Sequence, residues 1–127
     1  MSTRAEQTVA EYFASIRAMD VERCLALFAP GAEQQDPVGA PANTGKEAIH
    51  AFFTQIFAGF QEVTVTEDSV FPGGNSVAVK WTGRGVVQNG NTVDFEGIDV
   101  IDINDEGKII RSRSFWDVDQ VMAALLG

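Results

Sequence analysis

The 127-residue sequence is poor in the residue types that most readily mark a site: it has one cysteine, one histidine and one tyrosine. A single thiol, Cys24, cannot close an internal disulfide, and no second Cys or His stands near it at metal-ligand spacing, so it reads as a core residue. Neither a metal nor an organic cofactor is signalled, and none is expected. His50 falls with Lys46 and Thr54 on the polar side of a helix, a solvated position that argues against a histidine-dependent dehydratase. Positive charge is scarce too. Nine Lys and Arg against eighteen Asp and Glu leave a net charge of −9, which repels phosphate backbones and anionic membrane surfaces, so neither nucleic acid nor membrane is expected as a partner. Met1 to Glu11 holds no apolar signal region, and nowhere do about eighteen apolar residues run together. A reduced, cytoplasmic setting is the expectation.

What is present is enough for a core: 45% of residues are hydrophobic and 9% aromatic, and the length suits one domain spanning residues 1–127. Thr3 and Glu6 form a capping box, and Val9, Tyr12, Phe13 and Ile16 recur on one face, predicting a helix from Arg4 to Ala18. Asp20 can cap a second helix with Val21, Cys24, Leu25 and Phe28 buried, stopped by Pro30-Gly31. Ala32 to Gln35 reads as short and extended, before the stiff turn Asp36-Pro37-Val38-Gly39-Ala40-Pro41. Thr44 and Glu47 suggest a second capping box, followed by Ile49, Phe52, Phe53, Ile56 and Phe57 on helix three.

After Gly59 the period switches to two. Strands are predicted around Val63–Phe71, Val77–Gln88, Thr92–Ile103 and Lys108–Val118, separated by turn sequences of which Asn89-Gly90 is the clearest. Gly83, Gly85 and Gly97 are expected to permit bulges or kinks in strands this long. Asp117–Leu126 should form a closing helix with Val118, Val121, Met122 and Leu125 buried. The fold class is α+β: a curved, cone-shaped antiparallel sheet with three N-terminal helices packed on its concave face and an internal pocket at the open end.

On the strand Thr92–Ile103, Val93, Phe95, Gly97, Asp99, Ile101 and Ile103 share one face, apolar except for Asp99. An ionised carboxylate buried there alone would cost several kcal/mol, so Asp99 should pair with a base or stay protonated. No Lys or Arg shares that face of the strand; an edge position reaching water, or a hydrogen bond to a loop, is the alternative. Asp36 alone would read as a turn starter, and Tyr12 alone as a core residue with its hydroxyl at the rim. On the last strand, Ile110, Ser112, Ser114 and Trp116 are taken as pocket-facing, with Arg111 and Arg113 outside.

Taken together, Glu11-Tyr12-Phe13, Asp36-Pro37-Val38-Gly39, Ile98-Asp99 before a Gly-Lys hairpin, and Arg113-Ser114-Phe115-Trp116 resemble the ketosteroid isomerases. These belong to the cone-shaped fold named after nuclear transport factor 2, which includes the SnoaL-like proteins. The resemblance runs almost end to end. It implies Asp36 as general base, with Tyr12 and a protonated Asp99 as hydrogen-bond donors to an enolate oxygen, an arrangement for which ketosteroid isomerase is a standard worked case. The substrate would be a small hydrophobic ketone such as a steroid, contacted by Phe53, Phe57, Phe95, Ile101, Ser114 and Trp116. The family's further tyrosine on helix three is replaced here by Phe53, which would leave Tyr12 without that support.

The resemblance also implies a homodimer through the outer face of the sheet, to which Trp81 or its alternating neighbours could contribute. Two other readings stand beside the isomerase. One is a SnoaL-like polyketide cyclase or related enzyme acting on another flat ligand; an epoxide hydrolase of this fold would need an arginine between two pocket aspartates. The other is a non-enzymatic binding or dimerisation module, in which Tyr12 and Asp99 satisfy one another.

Overall fold

The computed structural model describes residues 3–126. The chain opens with α1 (Arg4–Arg17), where the Thr3–Glu6 capping box forms as expected, and continues into α2 (Val21–Ala26), capped by Asp20. Helix two ends earlier than the sequence suggested. Phe28 does not sit on it but starts β1 (Phe28–Gln35), and Pro30-Gly31 lies inside that strand rather than stopping a helix. Phe28 and Ala29 are buried, and the strand absorbs the Pro-Gly step between register positions Phe28 and Glu33, where its pairing is irregular.

A two-residue strand, β2 (Asn43–Thr44), leads to α3 (Lys46–Ala58). The expected capping box at Thr44 does not form. Thr44 is occupied in pairing with Glu33, and the N-cap is Gly45, at a φ of 88° that suits glycine. Four strands follow, β3 (Phe60–Gly73), β4 (Ser76–Val87), β5 (Thr92–Ile103) and β6 (Ile109–Trp116), before α4 (Val118–Leu126).

The six strands form one curved, unclosed sheet in the order β2-β1-β6-β5-β4-β3, antiparallel throughout except that β1 runs parallel to β6. Helix α1 packs against β3 and β4, and α3 against β1 and β3. Between these helices and the sheet lie the fully buried Tyr12, Phe13, Phe28, Ile49, Ile101 and Ile109, each large apolar side chain contributing roughly 1.5–3 kcal/mol by leaving water.

Gly83, Gly85 and Gly97 do not mark the bulges, which fall at Phe60/Glu62, Glu67/Ser69 and Asp102/Ile103. Their role is to give aromatic rings room. A methyl at Gly83 or Gly85 would lie within 2.7 Å and 2.5 Å of the rings of Phe95 and Phe60, and one at Gly97 within 2.6 Å of Trp81.

In α4 Val121 is buried, whereas Val118 and Met122 stay 39% and 43% exposed. They border the open end of the cone, where part of their surface faces a cavity. The side chain of Leu125 lies outside the described residues. No described helix is long and apolar enough to cross a membrane.

Candidate active site

The concave face of the sheet and helices α1, α3 and α4 enclose a cavity of about 440 Å³, within the range of small-molecule sites. Its wall is mostly ring and aliphatic surface, with Phe53, Phe57 and Phe95 among the lining residues, as expected. Ile101 is not among them. It is fully buried on β5 between Val77 and Ser112, in the core rather than on the pocket wall.

The polar groups in this wall include Tyr12, Asp36, Asp99 and Ser114, so all three proposed reacting side chains face one cavity. Three elements deliver them. Helix α1 presents Tyr12 from its buried face, packed edge-on against Phe13, Phe28 and Phe53 at ring-centre distances of 5.6, 6.0 and 6.3 Å. The turn after β1 presents Asp36, with the backbone N–H of Val38 donating to the carbonyl of Ser114 at 2.8 Å and tying the turn to β6. The inward face of β5 presents Asp99, 4% exposed.

Asp99 resolves its burial with neutral donors. The indole Nε1–H of Trp81 donates to its Oδ1 at 2.9 Å, and the Ser114 hydroxyl donates to the same oxygen at 2.6 Å. Ser114 is its directly paired residue on β6, and Trp81 reaches it diagonally from β4 across side-chain-free Gly97. Trp81 therefore does not sit on the outer face as expected; it is 5% exposed and points inward. Sequence reasoning missed this residue, although the signal was present: Trp81 shares its strand face with Val77 and Val79.

Two donors on Oδ1 leave Oδ2 for a proton and a ligand. Burial pushes the Asp99 carboxyl up to about 7, the charge of Asp36 adds to the rise, and the bonds from Ser114 and Trp81 oppose it. Asp36 is half-buried, and its Oδ1 accepts the indole N–H of Trp116 at 2.5 Å. Burial raises it to about 6, with the Trp116 bond pulling the other way. Tyr12 is pushed well above its ordinary value, first by burial and then by the charges of Asp99 and Asp36, while a hydrogen bond with Ser112 eases the rise.

Among the described residues no hydrogen bond joins Tyr12 to Asp99, so mutual satisfaction of that pair is not how either is accommodated. Among the described residues no arginine lines the cavity. Arg111 is exposed and Arg113 lies over the Phe115 ring at 5.9 Å, both off the pocket face as expected. Ile110, expected inside, is 45% exposed and Ile109 is buried in its place. The bulge between Asp102/Arg111 and Ile103/Ile109 leaves Ile110 without a partner and turns it outward. His50 sits on the surface 3.1 Å from Glu22.

The SnoaL-like domain model matches residues 9–112 of this chain. The steroid Delta-isomerase of Nocardioides simplex is 27% identical over 116 residues, covering 91% of this chain and 92% of that protein. Among solved structures, the epoxide hydrolase/cyclase-like enzyme SalBIII, described in pyran ring formation in the polyether salinomycin, superposes with a TM-score of 0.83 at 30% identity. The match covers 92% of this chain and 93% of SalBIII. The RV0760c protein of Mycobacterium tuberculosis, solved in complex with estradiol-17beta-hemisuccinate, superposes with a TM-score of 0.84 at 26% identity, over 94% of this chain and 98% of that one.

Proposed function

Because the chain belongs to the SnoaL-like domain family, we propose that it is a ketosteroid isomerase-like enzyme, moving a double bond into conjugation with a ketone by intramolecular proton transfer. The observation that carries this reading is the convergence of Tyr12, Asp36 and Asp99 on one apolar cavity, Asp36 from a turn with one indole donor and Asp99 from mid-strand with an indole and a hydroxyl on one oxygen. Burial raises both carboxyls, Asp36 to about 6 and Asp99 to about 7, and in this reading Asp36 acts in its ionised form and Asp99 in its protonated form. The turn position suits a base that must move and the strand position suits a fixed donor.

In the reaction, Asp36 takes a proton from the carbon between the ketone and the double bond. The electron pair moves onto the ketone oxygen, forming a dienolate, and Tyr12 Oη–H and Asp99 Oδ2–H donate to it. Asp36 then returns the same proton to the far carbon of the diene, and the carbonyl reforms in conjugation. Donors already fixed in a dry wall stabilise the developing charge without reorganising, which is where most of the acceleration of such a step arises. Phe53, Phe57, Phe95 and Trp116 would hold the flat ligand.

The steroid-bound relative supports a ligand of this size and polarity, and the Nocardioides relative supports the reaction type. The experiment is to add a Δ5-3-ketosteroid and follow the absorbance of the conjugated enone. Turnover that disappears in Asp36→Asn supports the reading, and turnover that survives it removes Asp36 as base.

A cyclase reading is favoured by one observation, the likeness to SalBIII at 30% identity. The same acid and base could serve ring closure on a polyketide. A wild-type protein that leaves the ketosteroid unchanged and closes an unsaturated hydroxy-ketone would select it. The homodimer belongs to the same reading: Ile98 and Phe115 are cross-strand partners on the outer face and stay 47% and 41% exposed. Sedimentation of Ile98→Asp as a smaller species than the wild type would support that face as the interface.

A further inference from the structure

The nine Lys and Arg of the chain and its one histidine all lie away from the cavity: among the described residues none lines it. Arg17 reaches the carbonyl of the lining residue Val65, and its charge is matched there by Glu67 Oε1 at 2.6 Å. The titratable side chains on the wall are Tyr12, Asp36 and Asp99, none of which carries positive charge. Among the described residues neither carboxyl has an ion-pair partner. Asp36 accepts the Trp116 indole on Oδ1, and Asp99 accepts Trp81 and Ser114, again on Oδ1, so that Oδ2 of each is without a protein donor. The two indoles are bridged by Phe95, whose ring centre lies 5.7 Å from that of Trp81 and 6.4 Å from that of Trp116. Acceptor oxygens and aromatic rings thus share one stretch of wall, and no protein cation serves either.

We propose that the cavity is also a binding site for apolar amines, holding a protonated nitrogen against the Asp36 carboxylate and the aromatic rings beside it. Burying an ammonium is costly, and a pair formed from two solvated ions regains little more than that cost. Here one partner is already in place. Folding has withdrawn Asp36 part-way from water and tied its turn to β6, so the ligand's own desolvation is the main cost left to offset. Trp116 and Phe95 add cation–π attraction, which strengthens where water is excluded. The net charge of −9 draws cations toward the protein over longer distances. A carboxylate on the same skeleton meets the reverse on every count, facing two acidic groups and no Lys, Arg or His. The site therefore sorts ligands of one shape by their charge. The inference does not rest on the isomerase reading, because Asp36 needs only to be ionised and to face the cavity.

Both tryptophans of the chain line the cavity, so their fluorescence reports its occupancy. A saturated androstane carrying an amine, a hydroxyl or a carboxylate at C3 keeps one shape, is silent at tryptophan wavelengths and has no double bond to move. The amine is expected to bind about tenfold tighter than the alcohol, and the carboxylate weakest of the three. Asp36→Asn should bring the amine down to the affinity of the alcohol, whereas Asp36→Glu should keep the preference. A preference that survives Asp36→Asn comes from the surface field and overturns the proposal, as does a wild-type protein that binds alcohol and amine equally. Should Asp36→Asn not fold, the wild-type series is repeated in about 1 M salt, where the screening length falls to about 3 Å. A contact pair keeps most of its preference there, and a preference abolished by salt overturns the site. Amine preference without ketosteroid turnover would sink the isomerase reading alone, and turnover without amine preference would sink this one alone.

Discussion

Two carboxylates face the same cavity, yet they are held by opposite means. Asp36 stands in a turn, half-buried, with one indole donor on its carboxylate. Asp99 stands mid-strand, almost wholly buried, with an indole and a hydroxyl converging on one oxygen. More donors would ordinarily favour the ionised form, and on that count Asp99 should be the stronger acid. Burial and the neighbouring charge of Asp36 outweigh both bonds, and Asp99 is raised to about 7 beside about 6 for Asp36. The lesson is that donors at Asp99 fix the direction of the carboxyl rather than its charge. A turn gives a base the small movement it needs to carry a proton between two carbons, and a strand gives a donor the rigidity it needs to meet a developing oxyanion.

The largest way to break this contrast is to remove the base. Asp36→Asn should lower kcat on a Δ5-3-ketosteroid by about 10²–10⁴-fold, the usual range for a positioned general base, with the enone absorbance as the measurement. Removing the donor should cost less: Asp99→Ala is expected to lose about 10²–10³-fold, as for one oxyanion-hole donor. Asp99→Asn keeps an N–H to donate and should lose less than Asp99→Ala while also losing the alkaline fall in rate. Equal losses for Ala and Asn would mean that Asp99 donates nothing.

Much of this contrast could be read before the coordinates. The Asp-Pro-Val-Gly turn, the apolar neighbours of Asp99 and the buried stripe of Tyr12 are local patterns, and local patterns survive folding. What could not be read was register. The β5–β6 ladder pairs Ile103 with Ile109 at the turn; continued without slip it would set Asp99 opposite Arg113. The single unpaired Ile110 moves the ladder by one, so that Ser114 faces Asp99 instead. One bulge thus decides between a buried ion pair and a neutral hydrogen bond. Trp81 was missed for the same reason, since its bond to Asp99 crosses from another strand over Gly97. Phe28 was misplaced because a Pro-Gly pair that usually ends a helix was tolerated within an irregularly paired strand.

Stability offers a second test of the same inequality. Both carboxyls sit above their ordinary value of 3.8 in the folded protein, so it holds protons that the unfolded chain has already released. Their contribution to stability is fully present at acid pH, below about 4, and is lost as pH rises through about 6 and then about 7. At ~1.4 kcal/mol per pKa unit the larger share, a few kcal/mol, belongs to Asp99. Urea unfolding midpoints across this range should fall less steeply in Asp99→Asn than in the wild type, and Asp99→Asn should be the more stable protein above neutral pH. A wild-type midpoint flat from weakly acid to weakly alkaline pH would mean that neither carboxyl is raised.

The smallest expected effects are the most discriminating, because each tryptophan touches one carboxylate. Hydrogen bonds to charged groups contribute roughly 1.5–3 kcal/mol, equivalent to about one to two pKa units. Trp81→Phe withdraws a donor from Asp99 and should raise its pKa, carrying the alkaline limb of the rate profile upward and widening the active range. Trp116→Phe withdraws the donor from Asp36 and should carry the acid limb upward, narrowing it. The two substitutions make the same chemical change, yet their effects on the width of the pH profile should be opposite in sign. If both variants move the same limb, the two carboxyls titrate as one coupled unit, and the separate assignment of base and donor to Asp36 and Asp99 is wrong.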